Sequence, residues 1–526
     1  MNTSFTFLQL GIHCICHELC WFTFACLRSS VINQIKGGWS RCLRVLLKRM
    51  LISDLSMSRA GVPMLLHGQA FTLYANSPLA LTDLDGIRIA ANWMGSNSTR
   101  PCTFCDNCWM KGHPLIPGQF DIAEPDFGNF RPRTHEVIVG IQHIMIRAEQ
   151  EFKDGARTKT NFEALQSNLG YKPNPDGLFC DAELGAQIDF ENFFRTDWVH
   201  NELQQGVVSR EIQGLMKAVG LNGITKDDFN LLMRANWQFP KHLSTNTSNL
   251  IELFSSQKSA ASDSKSKVRA KASDLLSLYT LLRHMCEKTL AGIGGLERER
   301  VSFENCCSVM DLYIEGKRST DQEITAVAEA LGAAQNAHLR SHLEAYGNKY
   351  IIPKHHARGH IKKQMLSDSM TLDMFVVERL NWRLKQVSEA VCYTGTFEKS
   401  ILQSLLTMHC NQLMETVSLL PGLLGRTKSL DGYPNVTLGR GVSVRARAIY
   451  TDDIVTCQGE TGLVVACVHE RTSFYIVVQL MERVGPRTRT SATFVLTNAL
   501  RPLAVSDCRE ANAWYKDAIG RYVVLF

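Results

Sequence analysis

The chain has 526 residues, 45% of them hydrophobic, and a net charge of +6. This composition is typical of a folded protein with two or three domains and excludes a chain that is disordered as a whole. The charge is compatible with a polyanionic partner, but it is far below that of a dedicated nucleic-acid-binding arm.

Cysteine usage and the apolar runs argue against secretion and against membrane insertion. The 17 cysteines follow no regular framework, so we expect a reducing compartment, nuclear or cytoplasmic, and not a secreted protein. The most apolar stretch, FTFLQLGIHCICHELCWFTFACL, is interrupted by Gln9, His13, His17 and Glu18. A spanning helix needs about 20 mostly apolar residues, so no membrane partner is expected.

The region before residue 90 predicts two helices and several short strands. An amphipathic helix is predicted around 17–28 and a basic helix over WSRCLRVLLKRML,. From 61 to 90 the hydrophobic period shortens and predicts two or three strands, the last of which ends at Asp83,.

Helical spacing dominates the middle of the chain, and β-rich runs dominate its end. From about 130 to 420 apolar residues recur as in HEVIVGIQHIMIRAEQEF, which predicts a large helical region,. Beyond it, GLVVACVHE, SFYIVVQLME and SATFVLTNAL are short β-rich runs separated by turn residues. They predict a small SH3-like β-barrel.

A cysteine motif follows the predicted strands in RPCTFCDNCWMKGH. Cys102 and Cys105 have the spacing that lets one turn of backbone present two thiolates to a tetrahedral Zn²⁺. Cys108 and His113 could complete such a site locally. Cysteines without a metal, in an ordinary loop, are the alternative.

A second half site lies far along the chain in IIPKHHARGHIKKQ. If this segment is helical, His356 and His360 stand at i and i+4 on one face, where two imidazoles can share a metal. A structural zinc held by Cys102, Cys105, His356 and His360 would join the two ends of the helical region. Two ordinary histidines in a basic helix are the alternative.

Carboxylates flank both half sites. Asp83 lies nineteen residues before Cys102, and Glu378 lies eighteen residues after His360. Each has an ordinary interpretation, a helix cap for Asp83 and a solvated ion pair for Glu378. The nested order Asp, Cys-x-x-Cys, helical region, His-x-x-x-His, Glu is much less expected by chance.

That order resembles the cut-and-paste DDE transposases of the CACTA type. LTDLDGIRIAANWMGSNSTRPCTFCDN is similar to the family segment with the second catalytic Asp and its Cys pair. PKHHARGH is similar to its Pro-Lys-x-His-x-x-x-His element, and FVVERLNWRLK to the element around the catalytic Glu. Asp197-Trp-Val-His200 resembles the Asp-x-x-His signature of the insertion.

More closely, several short motifs resemble a group of transposon-derived proteins of algal genomes. They are FLQLG, the Trp21-Phe22 pair, IKGGWS and Phe397-Glu398. The resemblance covers roughly residues 4 to 410.

The resemblance implies an α/β fold with a large α-helical insertion. The expected chain is mainly α overall, with a truncated RNase H-like core and the small C-terminal β-barrel. The corresponding domains are 1–100 for the core remnant, 101–350 for the insertion, 351–425 for the core-closing helical segment and 436–526 for the barrel.

The implied ancestral activity is Mg²⁺-dependent cleavage and transfer of DNA strands. Mg²⁺ prefers hard oxygen ligands, and Asp83 and Glu378 would be two of the three carboxylates. The family's first Asp lies upstream of its FLQLG-like segment, whereas no such element precedes Phe5, and Asp54 is the only nearby replacement. We therefore expect an N-terminally truncated, inactive derivative that binds DNA; a homo-oligomer is compatible with this.

Alternatives of other classes stay open. One is a non-catalytic DNA- or chromatin-binding protein with a structural zinc, and another is a helical interaction scaffold. In Asp197-Trp-Val-His200, Asp197 could simply cap a helix while Trp198 packs inward. Arginines of the barrel could contact DNA or a peptide, or stay solvated: Arg445, Arg447, Arg487 and Arg489.

Overall fold

The chain is mainly helical and ends in a curled antiparallel sheet. The computed structural model describes residues 2–6, 15–66, 69–75, 79–96, 98–203, 205–222, 237–241, 271–391, 395–415, 422–444, 447–488 and 490–526. In these ranges the expected combination of a mainly α chain with a C-terminal β module is confirmed. The RNase H-like core is not confirmed, because the described N-terminal strands form separate two-stranded pairs.

The helices of the described ranges, in chain order, are α1 (Ser29–Ile32), α2 (Gly38–Leu51), α3 (Leu84–Ala91), α4 (His135–Lys153), α5 (Lys159–Leu169), α6 (Ala182–Gly185), α7 (Phe190–Phe193), α8 (Trp198–Glu202), α9 (Val207–Leu221), α10 (Ala272–Lys288), α11 (Glu297–Gly316), α12 (Ile324–Tyr346), α13 (Pro353–Ala357), α14 (His360–Asp368), α15 (Phe375–Ala390) and α16 (Phe397–Glu415).

The strands before the C-terminal sheet are β1 (Asn2–Phe5), β2 (Phe22–Cys26), β3 (Val62–Leu66), β4 (Gln69–Leu73), β5 (Ala80–Thr82), β6 (Cys108–Trp109), β7 (Phe120–Asp121) and β8 (Phe194–Thr196). The pairs β1 with β2 and β3 with β4 are antiparallel, whereas β5 with β8 and β6 with β7 are parallel.

The N-terminal predictions were partly right. The strands predicted between 61 and 90 are β3, β4 and β5, and the predicted basic helix is α2. The helix predicted around 17–28 is wrong, since this segment is a short 3₁₀ turn followed by β2. The sequence FTF repeats an aromatic residue with the two-residue period of a strand, and Phe and Thr are enriched in strands,.

The parallel pair of β5 and β8 places two acidic residues side by side. Thr82 is opposite Thr196 in the register, and the next residues, Asp83 and Asp197, are the N-caps of α3 and α8. The carboxyl ends of parallel strands face the same edge, so both carboxylates begin their helices at one point of the fold.

The largest core lies among the helices. It joins the apolar faces of α8 to α12 and α14 and includes residues such as Leu215, Leu278 and Phe303, all 0% exposed. Ala513 and Leu525 of the C-terminal sheet belong to the same cluster. The sheet is therefore docked on the helices through shared apolar packing.

The strands of the C-terminal sheet are β9 (Gly422–Leu424), β10 (Lys428–Leu430), β11 (Tyr433–Gly439), β12 (Gly441–Val444), β13 (Arg447–Tyr450), β14 (Ile454–Cys457), β15 (Glu460–Glu470), β16 (Ser473–Arg483), β17 (Ser491–Ala504), β18 (Arg509–Glu510), β19 (Ala513–Lys516) and β20 (Tyr522–Leu525). Their main order is β10-β11-β15-β16-β17-β20-β19, with β13-β12-β9 as a smaller sheet.

The predicted C-terminal β module thus exists as a half-barrel of antiparallel strands. Of its four predicted contact arginines, Arg487 places its guanidinium 4.9 Å from the ring centre of Phe526. Arg445, Arg489 and the side chain of Arg447 lie outside the described residues. In the described part of the chain, no helix combines the length and the apolar character that a membrane span requires.

Candidate functional site

Four side chains from the two predicted half sites meet in one cluster. His360 Nε2 lies 3.3 Å from Cys102 Sγ, 3.5 Å from Cys105 Sγ and 3.3 Å from His356 Nε2. The four donor atoms lie within 4.8 Å of one another, so this cluster could hold a metal ion. We call it the Cys–His clamp; the prediction that these four residues come together is confirmed.

Local sequence explains how each half of the clamp forms. Pro353 occupies the first turn of α13, a position at which its missing N–H costs no hydrogen bond,. The helix breaks at Arg358 and Gly359 before α14 begins at His360, so the predicted single helix is two short ones. The Cys102 sulfur accepts the Phe104 N–H at 3.3 Å, which holds the cysteine loop in a ligand-presenting turn.

Aromatic rings enclose the clamp. Phe130 lies 4.3 Å from the ring centre of His356, and Phe104 and Phe127 lie 4.7 and 5.1 Å from that of His360. Burial lowers the pKa of His360 and so favours the neutral imidazole, the form that coordinates a metal.

The two thiols of the clamp differ in acidity. Burial opposes ionisation of Cys102, but the hydrogen bond with Cys105 and the neighbouring His356 and His360 bring its pKa well below the ordinary value. Burial and the adjacent Cys102 raise the pKa of Cys105 well above it. The surroundings of the clamp thus favour ionisation of Cys102 over that of Cys105.

The nearby Cys108 and His113 do not complete the clamp. Cys108 is fully buried in β6, and His113 lies beside Trp109, with 6.0 Å between the ring centres. The interpretation that His356 and His360 supply the second half of the site therefore has the structural support.

A second constellation lies where β5 and β8 end. His200 Nε2 is 3.2 Å from Glu378 Oε1 of α15, and its Nδ1 makes a short hydrogen bond with Asp197 Oδ2. Asp83 lies close enough for its charge to act on His200. Thus Asp83, Asp197, His200 and Glu378 converge, although they are spread over almost three hundred residues of sequence. We call them the carboxylate–histidine centre.

The electrostatics of this centre favour an imidazolium. Burial alone disfavours the charged ring, but hydrogen bonds with Asp197 and Glu378 and the charge of Asp83 raise the pKa of His200 from 6.5 to about 9. The hydrogen bond with His200 in turn lowers the pKa of Glu378. The centre is therefore an ion-paired group at neutral pH.

The carboxylates of this centre differ in their burial and in their hydrogen-bond partners. Asp197 is fully buried and accepts the N–H groups of Val199, His200 and Met374 at 2.9 to 3.2 Å. With the ring of His200 as a further donor, both oxygens of Asp197 are engaged. Its predicted capping role is confirmed, Trp198 packs inward at 1% exposure, and Asp197 serves to orient His200.

Asp83 and Glu378 are more accessible. Asp83 caps α3 through the Gly86 N–H at 2.6 Å, as the ordinary interpretation predicted. The Glu378 side chain is 50% exposed and pairs with His200, whereas the neighbouring Arg379 pairs with Glu18. These two carboxylates are the ones at this centre that face solvent.

The clamp and the centre share an element. In α13, next to the clamp histidine His356, Lys354 Nζ donates to the His200 carbonyl at 2.7 Å. The segment that closes the clamp therefore also supports the backbone of the carboxylate–histidine centre.

Comparison with known proteins gave no relative. We found no family model, no curated protein and no solved structure that matches the chain.

Sequence reasoning missed one cluster that is equally buried. Glu211, His338 and His342 bring one ligand atom each within 4.8 Å of one another and are fully buried. The signal was present, since His338 and His342 form a second His-x-x-x-His pair within α12. Glu211 carries no local motif, so only the packing of α9 against α12 identifies it.

Proposed function

We propose that the chain is a DNA-binding protein of transposase descent, in which a structural zinc clamp braces a carboxylate–histidine centre that takes one divalent cation. The observation that carries the proposal is the convergence of Asp83, His200 and Glu378 at the carboxyl ends of two parallel strands. In α/β folds this edge is where ligand and catalytic sites form. An RNase H-like origin of β5 and β8 is part of the proposal.

The spacing of the clamp supports zinc. Zn–S and Zn–N bonds near 2.3 and 2.0–2.1 Å place tetrahedral S and N ligands about 3.6 Å apart and two N ligands about 3.3 Å apart. The distances to His360 Nε2 are 3.3 and 3.5 Å from the sulfurs and 3.3 Å from His356 Nε2. Four protein ligands leave no open position, which is typical of a structural site.

The centre has room for at most one divalent cation, which would replace the charge of the His200 imidazolium beside Glu378 and release its proton,. Asp83 and Glu378 offer the oxygen donors that Mg²⁺ prefers, and a bound cation would supply charge neutralisation for a phosphodiester. Asp197 does not fit the role of a further ligand, because both its oxygens are already engaged by N–H donors. DNA binding without efficient cleavage is therefore the function that we propose.

The surface beside the centre supports a nucleic-acid partner. Trp382 lies one turn beyond Glu378 on α15 and is 61% exposed, and Lys385 is exposed on the same face. An exposed aromatic ring stacks on unpaired bases, and a nearby lysine contacts the phosphate backbone. This face of α15 would bring DNA next to Glu378.

The experiment is DNA binding and nicking by the full chain with two variants. We expect Trp382→Ala to weaken single-stranded DNA binding roughly tenfold, since stacking contributes about 1–3 kcal/mol per base. Glu378→Gln should leave DNA affinity within about twofold in EDTA and reduce binding of Mn²⁺, measured by titration calorimetry. The affinity should also fall with salt, because phosphate contacts release counterions.

The outcomes separate the alternatives. Mg²⁺-dependent nicking that disappears in Glu378→Gln would replace the binding protein with an active strand-cleaving enzyme. No DNA affinity at any salt concentration would leave the helical scaffold. Glu389→Gln, which removes an exposed negative charge farther along α15, serves as the control for nonspecific loss of charge.

A further inference from the structure

A fully buried polar cluster lies between α9, α12 and α13, apart from the two sites described above. Glu211 Oε2 is 3.2 Å from His338 Nε2 and 2.5 Å from His342 Nδ1. All three side chains are 0% exposed. A carboxylate and two imidazoles are rarely withdrawn from water together unless protons or a metal ion compensate their polarity.

Several polar atoms of this cluster have no partner among the described residues. They are Glu211 Oε1, His342 Nε2 and His355 Nε2. An unpaired buried donor or acceptor costs about 1–3 kcal/mol. The hydroxyl of Tyr346 also interacts with Glu211. The hydrogen-bonding capacity left at Glu211 and His342 is what a further group would satisfy.

His355 borders the cluster but is not one of its ligands. Its ring centre is 5.0 Å from that of His342, and its Nδ1 accepts the Ile352 N–H at 3.2 Å. The neutral ring therefore carries its proton on Nε2. The three ligand atoms within 4.8 Å of one another belong to Glu211, His338 and His342.

We propose that Glu211, His338 and His342 form a second metal site, which takes Zn²⁺, with the second oxygen of Glu211 available as a further donor. The donor set of imidazoles and one carboxylate suits zinc, and two histidines one helical turn apart are a recurrent zinc-binding arrangement. The site is structural, since complete burial leaves it no path for a substrate. This proposal is independent of the DNA-binding function.

In the described arrangement, hydrogen bonds join the carboxylate of Glu211 to the imidazoles that would bind the ion. The short contact between Glu211 and His342 is a hydrogen bond from the imidazole to the carboxylate. On zinc binding, each imidazole carries its proton on the nitrogen that faces away from the metal, and any proton in excess is released to solvent.

The rearrangement at His338 involves Arg358. Arg358 Nη2 donates to His338 Nδ1 at 2.7 Å, which is incompatible with a proton on that nitrogen. Zinc at Nε2 would require Arg358 to give up this hydrogen bond to His338. Arg358 would keep its ion pair with Glu202, 3.6 Å from Nη1, and its hydrogen bond to the Gln335 carbonyl at 3.3 Å.

The two metal sites then lie on either side of the short helix α13. His355 packs beside the buried cluster, and His356 belongs to the Cys–His clamp. One zinc ion would join α9 to α12, and the other would join α13 and α14 to the cysteine loop.

The test is elemental analysis of the purified full-length chain. We expect two zinc ions per chain for the unchanged protein, one for Glu211→Gln, one for Cys105→Ser and none for the combined variant. The matched control is His143→Gln, an exposed histidine of α4, which should retain both ions. A single zinc that Cys105→Ser alone removes would overturn the proposal and show that protons suffice at Glu211.

Zinc-edge X-ray absorption of the unchanged protein gives a second answer if Glu211→Gln does not fold. Two sites, of which only the clamp contains sulfur, predict an average of one sulfur per zinc ion. An average of two sulfurs per zinc ion would mean that only the clamp is loaded, and the second site would be abandoned.

Discussion

Cys105 is 2% exposed, and its sulfur lies 3.5 Å from His360 Nε2, so its chemistry decides whether the clamp can close on a metal. A serine hydroxyl is a poor zinc ligand compared with a thiolate. Because the ligands come from opposite ends of the helical region, metal affinity contributes directly to folding free energy.

We expect Cys105→Ser to remove the clamp metal and to destabilise the protein by about 3 kcal/mol or more. Elemental analysis and chemical denaturation of the purified chain measure the two effects. Cys108→Ser is the matched control, since Cys108 is equally buried nearby but outside the cluster. It should cost about 1–3 kcal/mol with no change in metal content; equal metal loss in both variants would contradict the assignment.

At the scale of elements, the junction of α13 and α14 is constrained by packing. A Cβ on Gly359 would stand 2.1 Å from Phe127 Cε2, and that ring lies against both clamp histidines. The chain therefore needs glycine at this break because the ring of Phe127 comes too close for a Cβ. Backbone conformation is not the reason, since the φ of −63° lies in the ordinary helical range.

Gly359→Ala should displace Phe127, destabilise the protein by about 1–3 kcal/mol and weaken metal retention. Thermal unfolding with and without a chelator measures both. Gly140→Ala is the control, because Gly140 lies inside α4 with open space around the added Cβ. That change should stabilise by about 0.5–1 kcal/mol; the same loss in both variants would refute the packing argument.

Asp453 gives the C-terminal half-barrel a pH dependence. Burial raises its pKa from 3.8 to about 6, against the hydrogen bonds from the Tyr450 and Lys241 N–H groups and the charge of Lys241, while Glu510 raises it further. The thiol of Cys467 also lies near Asp453. The folded pKa is above the unfolded value, so the stabilisation is complete below about pH 4 and is lost as pH rises through 6.

We expect Asp453→Asn to flatten this part of the stability profile. Denaturation midpoints of both proteins, measured between pH 4 and 7, should converge as pH rises, because only the parent loses protonated Asp453. The asparagine keeps one acceptor for the two N–H groups, so it should be less stable than the parent at pH 4. Parallel profiles would show that Asp453 does not titrate in this window.

At the scale of the whole molecule, the helices and the C-terminal sheet share a core. Ala513 of β19 and Leu525 of β20 lie in the helical cluster, the N–H and carbonyl of Gln238 pair with Trp514, and Glu287 accepts the Thr488 hydroxyl at 3.0 Å. Shared apolar burial couples the stability of two regions.

Ala513→Asp should therefore destabilise the helices as well as the sheet, by about 3 kcal/mol or more, because it buries an unpaired carboxylate. The helical circular dichroism signal should unfold at a lower temperature in this variant. Ala499→Asp, on the exposed part of β17, is the control and should stay within about 0.5 kcal/mol of the parent. An unchanged helical transition in Ala513→Asp would mean that the two regions unfold independently.

Much of this organisation follows from local sequence. The spacing of hydrophobic residues predicted α2, the strands β3 to β5 and the β-rich end. Such spacing reflects the geometry of a single helix or strand, so it can be recognised without knowing the rest of the fold. Ligand spacing determined both halves of the clamp, because Cys-x-x-Cys and His-x-x-x-His each fit within about one turn of backbone. The hydrophobic period did not predict β2, because a short apolar segment fits either a helix or a strand.

Only the tertiary structure shows which of these local motifs come together in space. Only the parallel pairing of β5 with β8 puts Asp83 beside Asp197, and only the packing of α15 brings Glu378 to His200. Glu211 joins His338 and His342 in the same way, with no motif of its own. Contacts between residues more than a hundred positions apart depend on the summed packing of several elements, whereas a single sequence displays only the geometry within each.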